Sequence, residues 1–318
     1  MWESILSVLL LVVGMGLLIK GADWFVEGAA SLAKALGIPS LVIGLTLVSV
    51  GTSMPEFSVS LQSSIAGLND MSFGNIIGSN ICNLLLILGL SAVISPVKFQ
   101  KSTRNIEIPM CFAITVVFMI LANIGGVISF ADSIVLLVLF AGFLGYTLYV
   151  AKKGQAEAAE EEEGEQKNAS MLKNILLIVI GIIGLKLGGD FTVNNAVVIA
   201  QAVGISEKVI GLTILAIGTS LPELVTSVMA AVKGNDDIAI GNIIGSNIFN
   251  MLMIIGVTAF ITPLAYNVTY NVQLYILLFA LILLEVFAFT KPKDKMERPS
   301  GIIYVALYAV YMIMLFFI

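Results

Sequence analysis

The sequence predicts an all-α polytopic membrane protein of about ten transmembrane helices, arranged as two inverted-topology repeats of five. Three observations lead to this prediction: the composition, a series of long apolar runs, and an internal repeat. Hydrophobic residues make up 58% of the 318 residues and charged residues only 12%, and the mean hydropathy is +1.04. A soluble domain of this size would expose much more charge. We therefore expect most of the surface to face lipid.

Apolar runs long enough to cross a ~30 Å hydrocarbon core, about 20 residues each, recur along the whole chain. The first and the sixth are longer than a bilayer needs, which favours tilted helices. The predicted spans are 4–33, 40–67, 71–95, 105–124, 129–151, 171–202, 208–233, 238–262, 270–290 and 300–317.

Basic residues are concentrated in alternate loops, and the complementary loops carry little beyond Lys208. Loops rich in lysine and arginine stay in the cytoplasm. The pattern predicts a multi-pass protein of the cell membrane with both termini outside. The basic loops contain Lys34, Lys98, Lys101, Arg104, Lys152, Lys153, Lys167, Lys233, Lys291, Lys293, Lys295 and Arg298.

One polar segment, residues 152–170 with the sequence KKGQAEAAEEEEGEQKNAS, separates two hydrophobic halves. Its composition is typical of a solvated connector, and no calcium-loop spacing fixes its glutamates as a regulatory calcium site. The sequence predicts a first five-helix repeat over 1–151, an acidic cytoplasmic linker over 152–170, and a second, inverted repeat over 171–318.

The two halves repeat each other at a constant offset of 167 residues. VIGLTLVSVGTSMPE at 42–56 matches VIGLTILAIGTSLPE at 209–223, and GNIIGSNICN at 74–83 matches GNIIGSNIFN at 241–250. Because each half holds an odd number of predicted spans, the second copy crosses the membrane in the opposite direction. Secondary transporters use this plan and bind their substrates near the midplane, where the repeats meet.

Each copy presents oxygen-bearing side chains at helical spacing, and each contains a proline beside a glutamate in the middle of a span. Residues at i, i+3, i+4 and i+7 share one face of a helix. Pro55 and Pro222 cannot donate a backbone hydrogen bond, so we expect a kink or a break that frees carbonyl groups. The residues on these faces are Ser49, Thr52, Ser53 and Glu56; Ala216, Thr219, Ser220 and Glu223; Ser79 and Asn83; and Ser246 and Asn250.

These groups favour a site for a hard cation. Carboxylates inside a membrane span are costly and mark functional sites, and hydroxyl, amide, carbonyl and carboxylate oxygens suit Ca²⁺, or Na⁺ in its place. The chain has no histidine and two cysteines, both in apolar segments, so a zinc site or an imidazole relay is disfavoured. A purely structural kink, with each acid bound to a nearby hydroxyl, is the alternative.

The paired GTS-x-PE and GSNI-x-N motifs resemble the repeats of the cation/calcium exchanger superfamily, in particular those of prokaryotic sodium/calcium exchangers. The resemblance implies that Glu56 and Glu223 are central Ca²⁺ ligands shared in turn with Na⁺. It also implies that Thr52 and Thr219 add hydroxyl or carbonyl oxygens and that Ser79 and Ser246 complete flanking Na⁺ sites. The carbonyls of Ser49 and Ala216 fall at matching positions, and Asn83 and Asn250 face the centre.

The resemblance predicts a secondary antiporter that exchanges Na⁺ for Ca²⁺ by alternating access and is not an enzyme. Ca²⁺ and Na⁺ are its expected substrates, and the lipid bilayer is its expected environment. No cofactor, nucleic acid or obligate protein partner is expected. By this resemblance, the potassium-dependent branch and some prokaryotic members carry an aspartate where this chain has Asn250. A proton- or potassium-dependent calcium/cation antiporter is the main alternative. A cation channel is a further one, and an intramembrane hydrolase is remote without a histidine.

Overall fold

The computed structural model of the chain describes residues 2–161, 171–205, 214, 216–290 and 294–315. Its described part is built almost wholly from helices, four of which (α2, α4, α5 and α10) contain a π-helical turn. The helices are α1 (Trp2–Leu36), α2 (Ser40–Thr52), α3 (Met54–Ile65), α4 (Asn69–Ile94), α5 (Thr103–Asn123), α6 (Phe130–Glu161), α7 (Met171–Ala202), α8 (Ala216–Gly218), α9 (Leu221–Val232), α10 (Asp236–Ile261), α11 (Tyr270–Phe289) and α12 (Arg298–Met314).

The length and composition of these helices make the chain a multi-pass membrane protein. Over the described residues, seven helices are long and apolar enough to cross a bilayer: α1, α4, α5, α6, α7, α10 and α11. Helices α2 and α3 form an eighth candidate span with a bend of 48°, while α9 and α12 are shorter apolar helices. The predicted span 208–233 begins among residues outside the described ranges. The total of ten spans stays a prediction.

Helices α4 and α10 occupy the centre of the molecule. In their most apolar stretches 78% and 83% of the residues are buried, against 28% for α1 and 33% for α7. These two central helices contain the two copies of the GNIIGSN segment. Both copies of this motif are therefore surrounded mainly by protein. The long helices α1 and α7 pack against each other at the periphery.

Two short antiparallel ladders were not expected from the sequence. Strand β1 (Val97–Lys98) pairs with β4 (Lys295–Met296), and β2 (Val127–Ile128) pairs with β3 (Leu264–Ala265). They lie where the chain has left a helix and its peptide groups need new partners. Each ladder joins a loop of the first half to a loop of the second.

Helix α6 extends beyond residue 151, where the fifth predicted span ends, and continues to Glu161. The first part of the predicted linker, 152–170, is therefore helical, and it packs on the turn between α1 and α2. The side chain of Gln155 donates to the carbonyl of Leu36 at 2.9 Å, and a Cβ on Gly154 would lie 2.4 Å from the ring of Pro39. Residues 162–170, the rest of the predicted linker, lie outside the described residues.

Glycines let α1 and α7 approach each other closely. A Cβ on Gly21 would lie 2.7 Å from the backbone nitrogen of Leu185, and one on Gly188 would lie 2.5 Å from that of Leu18. Small residues serve this purpose in membranes, where van der Waals contact between helices is a main source of association. The crossing therefore depends on glycine at these positions.

We predict that Gly188→Val lowers the thermal unfolding midpoint in detergent, because the added atoms would force the two backbones apart. Overpacking of this kind costs about 1–3 kcal/mol. Gly16→Val, on α1, is the matched control, since nothing lies within 4 Å of its Cβ position. Equal midpoints for the two variants, measured by a thermal shift assay, would contradict the close crossing.

Candidate functional site

Both Pro-Glu segments interrupt a helix and start a new one. Ser53, between α2 and α3, has φ −86° and ψ 9°, and Ser220, before α9, has φ −88° and ψ 5°. A proline in the first turn of the new helix explains each break, because it lacks an N–H and its ring clashes with a preceding carbonyl. Glu56 and Glu223 thus lie in the first turns of α3 and α9.

The two glutamates are buried, with 1% of each exposed, and each receives a hydroxyl from the other half of the chain. Ser53 Oγ donates to Glu223 Oε1 at 2.9 Å, and Ser220 Oγ donates to Glu56 Oε1 at 3.3 Å. Ser79 Oγ also approaches Glu56 Oε1, at 3.4 Å. The second oxygen of each carboxylate has no hydrogen-bond partner among the described residues.

The serines join the four motif segments into one network. Ser53 Oγ lies 3.0 Å from Ser246 Oγ, and Ser220 Oγ lies 3.2 Å from Ser79 Oγ. Each contact links a broken helix of one half to the central helix of the other. The hydroxyls predicted from the helical spacing are therefore brought together with both carboxylates.

The threonines are held by two asparagines that the sequence analysis did not single out. Thr52 Oγ1 donates to Asn242 Oδ1 at 3.0 Å, and Thr219 Oγ1 donates to Asn75 Oδ1 at 3.4 Å. The helical spacing contained the signal for Asn75, because it lies one turn before Ser79 on the same face.

A second pair of missed asparagines, Asn80 and Asn247, connects the two central helices. Asn83 Nδ2 donates to Asn247 Oδ1 at 3.2 Å, and Asn250 Nδ2 donates to Asn80 Oδ1 at 2.9 Å. These bonds fix both amides by their nitrogen, and the amide oxygens of Asn83 and Asn250 remain buried without a partner.

Two predicted positions contribute differently from what the spacing suggested. The hydroxyl of Ser49 donates to the carbonyls of Leu45 and Thr46 in its own helix, at 2.8 and 3.1 Å. Its carbonyl accepts the backbone N–H of Ser53 at 3.0 Å. The backbone of Ala216 lies at the start of α8, and its side chain falls outside what the structure describes.

The unpartnered atoms define what this site can do. Within the part of the chain that the structure describes, four buried acceptors lack a donor: Glu56 Oε2, Glu223 Oε2, Asn83 Oδ1 and Asn250 Oδ1. Leaving such acceptors unsatisfied is costly, most of all for charged groups. A hard cation removes that cost by accepting oxygen lone pairs, and two carboxylates with two amides form a suitable ligand set. The described residues contain no cluster of three or more carboxylate, thiol or imidazole groups.

A cavity of about 890 Å³ reaches this network from one side. It extends to Asn75, Ser79 and Thr219 and passes Pro55 and Pro222 on its way. Its outer part includes Gln62 and Met71, on either side of the α3–α4 turn, and the end of α12 at Leu315.

Packing on the opposite side is tight. A Cβ on Gly245 would lie 2.7 Å from the carbonyl of Leu45, and one on Gly241 would lie 2.9 Å from the Cα of Gly44. In the first half, a Cβ on Gly74 would meet only Tyr270 among the described residues, at 3.4 Å, and one on Gly78 would meet none of them within 4 Å. Identical GNIIGSNI segments therefore face an open cavity in one half and a closed contact in the other.

Comparison with known proteins supports an assignment to a family. A model of the sodium/calcium exchanger protein family matches residues 6–149 and 173–317. The chain belongs to the sodium/calcium exchanger family. It is 39% identical to an uncharacterised membrane protein of Methanocaldococcus jannaschii over 307 residues, which cover 96% of this chain and 97% of that protein. It is 29% identical to a sodium/calcium exchanger of Methanosarcina acetivorans, with 98% of each chain covered.

A solved structure of a sodium-calcium exchanger has the same fold as this chain. The sodium-calcium exchanger NCX_Mj, soaked with 2.5 mM Na⁺ and 0.1 mM Ca²⁺, superposes with a TM-score of 0.82 at 35% identity, and the match covers 96% of this chain and 97% of that one. The multi-pass helical architecture of this chain is thus that of a membrane exchanger.

We predict that Gly245→Ala lowers the thermal unfolding midpoint, whereas Gly78→Ala leaves it unchanged. The added methyl group meets backbone atoms of α2 at position 245 and open space at position 78, and overpacking costs about 1–3 kcal/mol. The two residues are repeat-related, so each is the matched control for the other. Similar losses at both positions would contradict the one-sided cavity.

Proposed function

We propose that the protein exchanges Na⁺ for Ca²⁺ across the cell membrane by alternating access at a single site. One observation carries the proposal. Four buried oxygen acceptors, two of them carboxylate oxygens, lack a donor among the described residues. They lie where the two halves of an exchanger fold meet. Ion binding satisfies these oxygens, and the ligand types match Ca²⁺ and Na⁺. The proposed ligands are Glu56, Glu223, Asn83, Asn250, the serines Ser53, Ser79, Ser220 and Ser246, the threonines Thr52 and Thr219, and the carbonyls of Ser49 and Ala216.

The arrangement as two inverted repeats, 1–151 and 171–318, is part of the proposal. Contacts between the halves occur in exchanged pairs: Ser53 binds Glu223 as Ser220 binds Glu56. A two-fold relation produces such reciprocity, because each surface then meets the other's equivalent. The pairing of β1 with β4 and of β2 with β3 follows the same exchange.

The orientation follows from the distribution of basic residues. With the basic loops in the cytoplasm and both termini outside, the segment 152–170 is cytoplasmic. The cavity beside the α3–α4 turn then opens outward, and the closed contact around Gly241 and Gly245 faces the cytoplasm. Closure on one side favours a transporter over a channel, which needs a continuous path.

Charge gives a basis for coupling the two ions. Two ionised carboxylates supply about −2, which one Ca²⁺ or two Na⁺ neutralises. A third Na⁺ leaves the site positive, so an exchange of three for one moves net charge. That stoichiometry is an expectation from the family resemblance. It requires that the same oxygens serve both ions in turn.

We predict that Glu56→Gln and Glu223→Gln each reduce Na⁺-driven Ca²⁺ uptake roughly 100-fold or more. Removing one charged partner of a buried ionic group typically costs about 3–5 kcal/mol. The assay is Ca²⁺ uptake into proteoliposomes preloaded with Na⁺. Glu107→Gln is the control: this buried carboxylate accepts a hydrogen bond from Tyr146 outside the site and should keep its uptake. Retained transport in a well-folded Glu56 or Glu223 variant would refute the proposed ligand set.

We further predict that exchange does not require K⁺. A potassium ion held near Ca²⁺ needs extra negative charge, since two unit charges at ~4 Å repel by about 4 kcal/mol at an effective dielectric constant near 20. The site has neutral amides at Asn83 and Asn250, whereas potassium-dependent relatives have a carboxylate at the latter position. Na⁺-driven uptake should therefore be equal with K⁺ or choline on both sides. Loss of uptake in choline would favour the potassium-dependent alternative, and uptake driven by a pH gradient alone would favour the proton-dependent one.

A further inference from the structure

The cavity of about 890 Å³ that borders Ser79 and Thr219, called the outer cavity below, has one ion pair in its wall. The pair is formed by Lys186 and Asp190 on α7. Among the described residues that line this cavity, these two are the only charged ones. Lys186 Nζ lies 2.9 Å from Asp190 Oδ2 and 3.2 Å from Oδ1. Ser79 lines the same cavity, so the pair and the network around Glu56 border one shared space.

Lys186 lies in the middle of α7, which begins at Met171 and ends at Ala202. Its ammonium group pairs with Asp190, and both residues line the cavity. Ionisable residues of membrane-spanning segments that face a cavity often mark ion pathways.

Stability does not explain the pair. The side chains of Lys186 and Asp190 are 62% and 50% exposed, and an exposed pair one helical turn apart contributes little to folding. Its electrostatic effect on a passing ion is larger, because a cavity with low-dielectric walls concentrates the field of the charges that line it.

We propose that Asp190 is an outer capture residue for incoming cations and that Lys186, by pairing with it, limits how strongly the cavity attracts them. This inference rests on the proposed exchange function. With both charges present the cavity wall is neutral overall. Removing Lys186 leaves an attractive carboxylate in the cation path, and removing Asp190 leaves a repulsive ammonium.

The repeat-related position provides a comparison. Asp23, which lies 167 residues before Asp190, binds Lys233 at the end of α9 and lies 3.4 Å from Lys20. None of these three residues lines the outer cavity. Lys20 is therefore a lysine on the equivalent helix, paired with the equivalent aspartate but away from the cation path.

The valence of the ion gives this mechanism a distinctive signature. One change in electrostatic potential acts twice as strongly on a divalent as on a monovalent cation, so its effect on Ca²⁺ is the square of its effect on each Na⁺. A change of about fivefold in the affinity for Ca²⁺ corresponds to about 1 kcal/mol of interaction with a unit charge on the cavity wall. The corresponding factor for each Na⁺ is about twofold, and both effects shrink as salt shortens the Debye length.

The experiment measures initial rates of Ca²⁺ uptake by the full chain in Na⁺-loaded right-side-out membrane vesicles, over a range of external Ca²⁺. Lys186→Met should lower the apparent KM for Ca²⁺ about fivefold with kcat unchanged, and Asp190→Asn should raise it. The double variant should return close to the unmodified protein, because it restores a neutral wall. Lys186→Arg, which keeps the charge, and Lys20→Met should both match the unmodified protein.

Several results would overturn the inference. An unchanged or raised KM in Lys186→Met, equal factors for Na⁺ and Ca²⁺, or an effect that persists at high ionic strength would each do so. Equal shifts in everted vesicles would show that the pair does not act from the outer cavity. If the unmodified protein shows no Na⁺-driven uptake, the proposed function fails separately. Ca²⁺ binding by the purified protein in detergent, compared between Lys186→Met and Asp190→Asn, then still tests the sign of the effect.

Discussion

Two carboxylates buried in the middle of a helical membrane protein are the constraint on which the rest of this structure depends. Each carboxylate is taken out of water, and neither is paired with a lysine or an arginine in the described hydrogen-bond network. Moving such groups into a medium of low dielectric is costly unless hydrogen bonds and a counter-charge compensate. The serine hydroxyls from the opposite half supply part of that compensation, and the remaining oxygens have no donor among the described residues. Under the proposed function, the binding energy of the ion and the stability of the central helices are therefore coupled.

That constraint explains why so many polar side chains are used around the site. Asn80 and Asn247 bind the nitrogen ends of Asn250 and Asn83, which leaves the two amide oxygens oriented but unpartnered. Without these bonds an amide could rotate and satisfy itself, and an oxygen ligand would be lost. The outer asparagines, Asn75 and Asn242, hold the threonine hydroxyls in the same way. Under the proposed function, these polar groups orient the oxygen ligands of the ion.

Much of the fold and of the site could be predicted from the sequence. The lengths of the apolar runs predicted the long helices, and the proline-glutamate segments predicted both breaks. Helical spacing predicted that hydroxyl groups lie near the carboxylates. The supporting asparagines were missed although they lie at helical spacing from predicted ligands, Asn75 four residues before Ser79 and Asn80 three before Asn83, because spacing alone does not distinguish an orienting residue from a ligand. Helical spacing could not show that the hydroxyl of Ser49 donates to carbonyls of its own helix, as a serine in a helix can. The extension of α6 to Glu161 depends on tertiary contacts with the α1–α2 turn, which composition does not reveal. The open side could not be predicted at all, since GNIIGSNI is identical in both halves and identical segments cannot specify different surroundings.

The contrast between Gly78 and Gly245 affects how tolerance to mutation should be judged in this protein. One glycine is enclosed by backbone and the other borders a cavity, although both belong to the same octapeptide. Under the proposed alternation the two would exchange surroundings once in every transport cycle. A mutational scan that measured folding alone would then rank position 78 as freely substitutable. Such a scan detects only the conformation in which the space beside Gly78 is open. A protein that transports by this alternation must fit the more crowded of the two environments at both positions. The same eight residues can then be required in both halves, although the two copies pack differently in this conformation.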